Sequence, residues 1–306
     1  MSKETKSEEW EITKPIFIVG VPRSGTTLLY RLLGQHPSLA WFSKNTLKKF
    51  LTEDFLQAIY LRRRVFGLRN IPYPLDSFNN RFFSTLETPG EFGDLWRNVF
   101  VGDWNPKISE KNLEVLKKTI VDILNEKQKK RFLSKYPRNS IWIPMINKCF
   151  PNSKFVHIIR DGRDVVNSML RRSKENPSEY FGIPLKSSEK KEMNQIEKHA
   201  TQWIQVIKEI KNSFENLNKG QFIEIRYEDL VQFPKENLDK ITKFCELEKY
   251  DYVFTKDDHV FNKNKKDKSN WEFLAHPIIE NKNKTHENDL PIKKYLTPTL
   301  KELNYI

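Results

Sequence analysis

A short apolar run followed by a glycine-containing loop is the clearest chemical signal in this sequence. Residues 16–21 are apolar, and Gly20 and Gly25 have the spacing of a G-x-x-x-x-G phosphate-binding loop. Backbone N–H groups of such a loop, together with the N-terminus of the helix that follows, bind phosphate oxygens. The position that holds lysine in the ATP-binding form of this loop is occupied by Thr26. The sequence therefore predicts a phosphate site whose chemistry differs from ATP hydrolysis.

The absence of the loop lysine indicates which chemical group the protein would transfer. In ATP-using enzymes the loop lysine neutralises phosphate charge and the next Ser/Thr holds Mg²⁺. A sulfuryl group carries less charge, so hydroxyls, backbone N–H groups and one cation could move it from a 5′-phosphosulfate without a metal ion. Arg23 supplies a cation within the loop. Sulfuryl transfer is thus favoured, and a nucleotide or sugar kinase using ATP and Mg²⁺ is the alternative.

A second predicted strand leads into basic and hydroxyl side chains. Residues 154–159 form a nearly continuous apolar run, typical of a buried parallel strand, and Arg160 follows directly. Asp161 is expected to be the N-cap of the predicted helix that follows. On that helix Ser168 and Arg172 lie four residues apart and so share one face. A forked guanidinium and a hydroxyl can hold a terminal phosphate dianion. The alternative is structural, with Arg160 paired to Asp164 and Arg172 solvated.

Together, the two segments resemble motifs of the sulfotransferases that use 3′-phosphoadenosine 5′-phosphosulfate (PAPS). Residues 22–27, Pro-Arg-Ser-Gly-Thr-Thr, are similar to the loop that holds the 5′-phosphosulfate, and residues 155–168 are similar to the 3′-phosphate segment. The resemblance runs from Ile16 to Tyr227 and returns over residues 296–305. It implies a P-loop-like, three-layer α/β fold with a central parallel sheet of about five strands.

The resemblance also implies how the donor is bound and how the reaction is catalysed. Lys135 lies in a segment similar to the Glu-Lys-Thr-Pro-type segment of bacterial members, where the lysine contacts the bridging oxygen of the phosphosulfate. Arg23 and Lys135 would stabilise the transition state as SO₃ moves to a hydroxyl or amine and 3′-phosphoadenosine 5′-phosphate (PAP) leaves. The residues implied in donor binding are Arg23, Ser24, Gly25, Thr26, Thr27, Arg160, Ser168, Arg172 and Tyr227.

Structural interpretations stand beside these roles. Gly25 and Thr26 could simply cap a helix. Lys135 could be a surface lysine, and Tyr227 could be a half-buried packing residue. Glu228 and Asp229 are expected to cap the turn that follows them. None of these alternatives accounts for both motifs at once.

The general base is expected among nearby carboxylates. Tyrosylprotein sulfotransferases carry a glutamate after the His-Pro that follows the first helix, but residues 38–46 contain no carboxylate, so that mechanism does not transfer. Glu87 and Glu91 are the candidates, because they lie in the aromatic-rich region expected on the acceptor side. His36 and His157 are expected to be structural.

Aromatic side chains are plentiful in and around the predicted acceptor region. They could line an acceptor pocket, although packing in the core under helices is favoured. The residues concerned are Trp41, Phe42, Phe78, Phe82, Phe83, Phe92, Trp96 and Trp104. The acceptor itself, whether small molecule, carbohydrate, lipid or protein, is not specified by the sequence, and neither is the oligomeric state.

Charge and cysteine content limit the class of protein. The net charge of +13 over 306 residues suits an anionic donor, but a general bias toward lysine explains it equally. A basic nucleic-acid-binding module would explain the charge and not the 3′-phosphate segment. Cys149 and Cys245 lack disulfide or zinc-site spacing and are expected to be core thiols, and no metal site is expected. Without a leader-like or membrane-spanning apolar stretch, a cytoplasmic protein is expected.

Alternating strand and helix patterns predict an α/β protein. We expect a single domain over residues 1–306, with a flexible N-terminus (1–14), a mainly helical acceptor-side insertion that the resemblance does not explain (40–130), and a Lys/Asn-rich loop region (256–294) that either folds over the donor or is solvated. The predicted strands cover 16–21, 131–135, 154–159 and 221–227. The predicted helices cover 25–34, 140–150, 161–173, 193–216, 234–244 and 298–303, and a loop covers 174–192.

Overall fold

The computed structural model describes residues 11–43, 90–175, 183–186, 193–252 and 290–306. Its strands are β1 (Ile16–Val19), β2 (Leu39–Ala40), β3 (Phe100–Val101), β4 (Lys107–Ile108), β5 (Arg131–Lys135), β6 (Lys154–Ile159) and β7 (Phe222–Arg226). Its helices are α1 (Thr26–Leu33), α2 (Gly93–Val99), α3 (Glu110–Lys127), a 3₁₀ helix (Pro137–Ile141), α4 (Ile143–Cys149), α5 (Gly162–Glu175), α6 (Gln195–Glu215), α7 (Tyr227–Gln232), α8 (Pro234–Phe244) and α9 (Leu290–Glu302).

Five strands form one sheet in the order β2-β5-β1-β6-β7, and every pairing in it is parallel. β1 lies in the middle, with Ile18 opposite Lys135 of β5 and Val19 opposite His157 of β6. The carboxyl ends of β1, β5, β6 and β7 therefore meet at one edge of the sheet. In open α/β sheets ligands bind in the crevice outside this edge. The predicted fold class is confirmed.

Helices cover both faces of the sheet, which gives three layers. Phe17 and Val19 of β1 belong to a core cluster that includes buried residues of α3, α5, α6 and α9, whereas Ile16 and Ile18 belong to a second cluster with α1 and α8. Because successive strand residues point to opposite faces, a strand buried on both faces must be apolar at every position. This is why residues 16–19 read as a continuous apolar run.

Most predicted elements are present, and some of their bounds differ from expectation. The last helix begins at Leu290 rather than at residue 298, because Ile292, Leu296 and Leu300 at four-residue spacing bury one face in the core. Pro298 lies inside this helix at an exposed position, where water can solvate the carbonyl left without an N–H donor.

Other bounds differ as well. The helix predicted over 140–150 is split into the 3₁₀ helix and α4, with Pro144 in the first turn of the latter. Tyr227 begins a short helix instead of ending a strand. Helix α5, predicted over 161–173, continues to Glu175, and residues 176–182 and 187–192 of the predicted loop lie outside the described residues. None of the helices in the described ranges is both long and apolar enough to cross a bilayer.

Several sequence predictions fall outside the described residues. They concern the first ten residues, residues 44–89 of the predicted insertion and residues 253–289 of the Lys/Asn-rich region. Glu87, Phe78, Phe82 and Phe83 belong to this group. In the described part of the insertion, α2 and α3 flank an antiparallel hairpin of β3 and β4.

Candidate active site

The loop between β1 and α1 is shaped by two glycines. Gly20 (φ 156°) leaves no room for a side chain, since a Cβ there would lie 2.5 Å from the Ile158 carbonyl oxygen. Gly25 has φ 91°, and a Cβ would lie 2.3 Å from Cδ2 of Tyr227. Only glycine adopts such conformations without strain and allows so close an approach. The chain therefore turns at Gly25 directly into the N-terminus of α1.

Hydroxyl groups line and anchor this loop. The Gly20 N–H donates to Ser140 Oγ at 2.9 Å, and Ser140 Oγ donates back to the Gly20 carbonyl at 2.9 Å. Ser140 thus fixes the loop from the 3₁₀ helix, a role that sequence reasoning missed. Ser24 and Thr26 are buried, and Thr27 is exposed. Among the residues that the structure describes, the buried Ser24 Oγ has no hydrogen-bond partner.

Lys135 lies beside the same loop at the carboxyl end of β5. Its side chain is only 5% exposed, and Nζ donates to Thr27 Oγ1 at 3.0 Å. The same ammonium forms an ion pair with Glu91. The hydroxyl of Tyr30 donates to the Gly90 carbonyl at 3.2 Å, which ties the backbone before Glu91 to α1. Lys135 is therefore not a surface lysine, and one of the two candidate bases contacts it.

Glu91 also affects its surroundings electrostatically. Burial, and then the Glu91 carboxylate, raises the pKa of the Tyr30 phenol, so Tyr30 remains a neutral hydrogen-bond donor. The Glu91 side chain is 42% exposed, so one side of it faces solvent at the mouth of the site. A carboxylate in this position can both orient an ammonium group and accept a proton from an incoming hydroxyl.

Arg160, at the end of β6, faces the loop. Its Nη1 donates to the Arg23 carbonyl at 3.3 Å, and its Nη2 donates to Asp164 at 3.3 Å. The guanidinium carbon lies 4.4 Å from the centroid of the Tyr227 ring. The pairing with Asp164 is thus present, but alongside contacts to the loop rather than in place of them. Within the described residues Arg160 Nε is buried without a hydrogen-bond partner.

Arg23 joins the loop to the second motif. It is exposed and has φ 75°, an unusual conformation for a residue with a side chain. Its Nε donates to Ser168 Oγ of α5 at 3.1 Å. Arg172 lies one turn further along α5 and is half-buried. The structure thus brings Arg23, Arg160 and Ser168 together at the edge where β1 and β6 end.

The start of α5 is held by its own acidic residue. The Asp161 carboxylate accepts the Arg163 N–H at 2.9 Å, which is the predicted N-cap, and also pairs with the Arg163 guanidinium. The Asp161 N–H in turn donates to Glu228 at 3.1 Å. Sequence reasoning assigned Glu228 to capping of the following turn, whereas its side chain bonds to a neighbouring strand end. No local pattern signals this contact, because it joins residues 67 positions apart.

Tyr227 is the link between the two motifs and β7. It is 7% exposed, with its ring between Gly25 and the Arg160 guanidinium. Burial raises the pKa of its phenol, and the charge of Arg160 partly opposes that change. Tyr227 is therefore a buried packing residue that contacts both motifs.

Other candidate residues lie in structural positions. His36 bonds to the Glu248 carbonyl at 3.0 Å, and His157 is fully buried with Nδ1 2.9 Å from Glu224. The hydrogen bond from His157 lowers the pKa of Glu224.

The described aromatic residues of the predicted acceptor region also pack in the core. Phe42 and Trp96 are fully buried there, and the partly buried Trp41, Phe92 and Trp104 pack against core residues. Both cysteines are buried, and burial raises the thiol pKa of Cys149 to about 11.

A family comparison agrees with this geometry. The family model described as the sulfotransferase family matches residues 15–252. The chain belongs to the sulfotransferase family. The match begins just before β1 and spans both motifs, Lys135 and Tyr227.

The chain is also similar to individual sulfotransferases of other organisms. A putative protein-tyrosine sulfotransferase of Caenorhabditis briggsae is 29% identical over 234 residues, covering 76% of this chain and 65% of the relative. An omega-hydroxy-beta-dihydromenaquinone-9 sulfotransferase of Mycobacterium bovis is 22% identical over 268 residues, covering 74% and 61%. The chain thus spans less than two thirds of the length of these relatives.

Solved structures share the fold. The sulfotransferase domain from the curacin biosynthetic pathway aligns with a TM-score of 0.54 at 18% identity, covering 97% of this chain and 99% of that domain. A sulfotransferase of Mycobacterium tuberculosis aligns with a TM-score of 0.54 at 15% identity, covering 93% and 76%. At these identities the likeness extends to the fold alone.

Proposed function

We propose that this sulfotransferase-family protein moves a sulfuryl group from PAPS to a hydroxyl or amine of an acceptor and releases PAP. The observation that carries the proposal is the meeting of two distant motifs at one sheet edge. Arg160 donates to the Arg23 carbonyl, although the two residues are 137 positions apart, and Arg23 reaches Ser168. One ligand with phosphate groups at both ends would bridge them.

The donor would be bound at two places. Backbone N–H groups of the loop and the hydroxyls of Ser24, Thr26 and Thr27 would hold the 5′-phosphosulfate, with Gly25 allowing the close turn. The unpartnered, buried Ser24 hydroxyl supports this assignment, because a buried hydroxyl without a partner costs free energy that a ligand oxygen would recover.

The 3′-phosphate would lie against the second motif. Arg160, Ser168 and Arg172 would bind it, and Tyr227 would lie near the nucleotide. The unpartnered Nε of Arg160 supports this assignment, because a guanidinium binds a phosphate best when two of its N–H groups are available. Arg23 would sit between the two ends of the donor.

The reaction would be an in-line displacement. The acceptor oxygen or nitrogen forms a bond to sulfur while the bridging S–O bond breaks, and its electron pair goes to the 5′-phosphate oxygen of PAP. Lys135 would stabilise the charge that develops on this oxygen, with Arg23 beside it. Glu91 would take the acceptor proton. Glu91 already contacts Lys135, which supports placing the base close to the reacting centre.

The acceptor class is proposed from the relatives and stays general. The C. briggsae relative is named for protein tyrosine and the M. bovis relative for an omega-hydroxy compound, so both printed names point to hydroxyl acceptors. A hydroxyl acceptor is therefore favoured over an amine. Glu87, the second candidate base, lies outside the described residues and stays a prediction, as do the single-domain organisation and the cytoplasmic location.

A transfer assay tests the proposal against the kinase alternative. The protein is incubated with ³⁵S-labelled PAPS and a metabolite extract, and in a parallel reaction with γ-³²P-labelled ATP and Mg²⁺. The proposal predicts ³⁵S in an acceptor fraction with PAP formed in equal amount, and a loss of transfer in Lys135→Ala. Transfer of ³²P without transfer of ³⁵S would favour the kinase.

A further inference from the structure

We propose that Tyr305, through Glu228, positions the 3′-phosphate site, so that selectivity for nucleotides with a 3′-phosphate depends on a residue that does not touch the nucleotide. This inference rests on the proposed function. It starts from a chain of contacts outside the two phosphate-binding motifs. Tyr305 donates its phenol hydrogen to Glu228 at 3.3 Å, and the other carboxylate oxygen of Glu228 accepts the Asp161 N–H at 3.1 Å.

Tyr305 is held firmly where this contact requires it. Helix α9 ends in a Schellman motif, in which the Tyr305 N–H donates to the Leu300 carbonyl at 2.9 Å and the Asn304 N–H donates to the Lys301 carbonyl at 3.0 Å. Asn304 has φ 56°, the left-handed conformation that asparagine tolerates better than most residues. The motif reverses the chain and directs Tyr305 back toward β7.

Arg226 secures the same segment from the sheet. Its Nη2 donates to the Leu303 carbonyl at 2.5 Å, and its guanidinium carbon lies 4.5 Å from the centroid of the Tyr305 ring. Burial, and then the Glu228 charge, raises the pKa of the Tyr305 phenol, so the hydroxyl stays protonated and donates. Burial also raises the pKa of Glu228.

Tyr227 holds Arg160 in place, and Glu228 holds Asp161, the residue after it. The Tyr227 ring lies under the Arg160 guanidinium, and the Glu228 carboxylate holds the Asp161 N–H. The Arg160–Asp161 dipeptide sets where Arg160 points and where α5, which carries Ser168, begins. A carboxylate this close to Arg160 would repel a phosphate if it bound the nucleotide directly, so its contribution is positional. Tyr305 restrains that carboxylate from the far side.

The test compares affinities for two nucleotides by calorimetric titration of the full chain. PAP carries both phosphates and AMP lacks the 3′-phosphate, so the ratio of their dissociation constants measures 3′-phosphate recognition alone. Tyr305→Phe keeps the ring and its contact with Arg226 but removes the hydroxyl. We expect its PAP dissociation constant to rise about threefold to tenfold while that of AMP stays within about a factor of two.

Tyr295→Phe is the matched control, because Tyr295, on α9, is likewise a half-buried tyrosine with a cation, Lys294, over its ring at 5.8 Å. Tyr295→Phe should leave the preference for PAP over AMP unchanged. Glu228→Gln should lower the preference for PAP over AMP as well. The double variant Tyr305→Phe/Glu228→Gln should prefer PAP no less than the poorer single variant, because both substitutions act through one contact. General destabilisation of the fold would instead lower the affinities for PAP and AMP to the same extent.

The outcomes separate this inference from the proposed function. If the wild-type protein binds PAP no better than AMP, the proposed function fails. If the wild type prefers PAP and Tyr305→Phe keeps the full preference, the positioning role of Tyr305 is overturned and the proposed function stands. An equal loss of affinity for PAP and AMP in Tyr305→Phe would also overturn it.

Discussion

Arg23 Nε donates a hydrogen bond to Ser168 Oγ at 3.1 Å, which connects the loop after β1 to helix α5 across 145 positions of sequence. The cation of the predicted 5′-phosphosulfate loop therefore reaches the predicted 3′-phosphate segment. Ser168 has two roles in this account, as a ligand of the 3′-phosphate and as an anchor for Arg23.

Ser168→Ala is expected to weaken PAP binding about tenfold to a hundredfold, because hydrogen bonds to charged groups contribute about 1.5–3 kcal/mol. The measurement is calorimetric titration with PAP. Ser173→Ala is the control, since Ser173 lies on the same helix and its hydroxyl is 3.2 Å from His199 Nε2. Equal PAP affinity in the Ser168 variant and the wild type would show that Ser168 does not bind the donor.

Lys135→Ala is expected to lower kcat about a hundredfold to a thousandfold, the range seen when one group that stabilises transition-state charge is removed. PAP affinity should fall as well, because PAP carries in full, on its 5′-phosphate, the negative charge that Lys135 stabilises in the transition state. Steady-state kinetics with PAPS checks this. Lys129→Ala, near the opposite end of β5, serves as the control, and a kcat unchanged in Lys135→Ala would remove this lysine from the mechanism.

Glu91→Gln tests the general base. Glutamine keeps the shape of the side chain but accepts no proton, so kcat should fall about a hundredfold or more, within the range for loss of a general base. Glu114→Gln, at an exposed position on α3, should have no effect. A fall in kcat of less than about threefold would mean that Glu91 only orients Lys135, and Glu87 would then be the remaining candidate base.

Gly25→Ala is expected to weaken both folding and nucleotide binding. The new Cβ would lie 2.3 Å from the Tyr227 ring, and φ 91° disfavours any side chain by about 1–2 kcal/mol. We expect a lower Tm and a PAP affinity reduced by at least about tenfold as Tyr227 is displaced from Arg160. Gly220→Ala, where no atom lies within 4 Å of the added Cβ, should be close to neutral. A neutral Gly25 variant would contradict the close packing of loop and Tyr227.

The sequence predicts those parts of the site whose signals are local. The apolar run of β1, the glycine spacing and the Asp161 cap each depend on neighbouring residues, so the loop and the start of α5 are predictable. The pairing of Lys135 with Glu91, the anchoring of Gly20 by Ser140 and the contact of Glu228 with Asp161 join residues 44, 120 and 67 positions apart. Such contacts depend on how the sheet orders its strands, which no local pattern encodes.

Two elements that the sequence did not predict correctly, β2 and the start of α9, also depend on contacts with distant residues. β2 has only two residues and exists because it pairs with β5, so it carries no periodic signal of its own. In α9, Pro298 suggests a helix start, but burial of Ile292, Leu296 and Leu300 outweighs the lost hydrogen bond. Tertiary packing therefore decides both cases.

The most direct test of the central claim is titration of the protein with PAP, AMP and ATP, each in EDTA and in Mg²⁺. We expect PAP to bind most tightly, EDTA not to weaken its binding, and Arg160→Ala to abolish the preference for PAP over AMP. Binding of ATP that requires Mg²⁺, together with no preference for PAP over AMP in the wild type, would contradict the central claim.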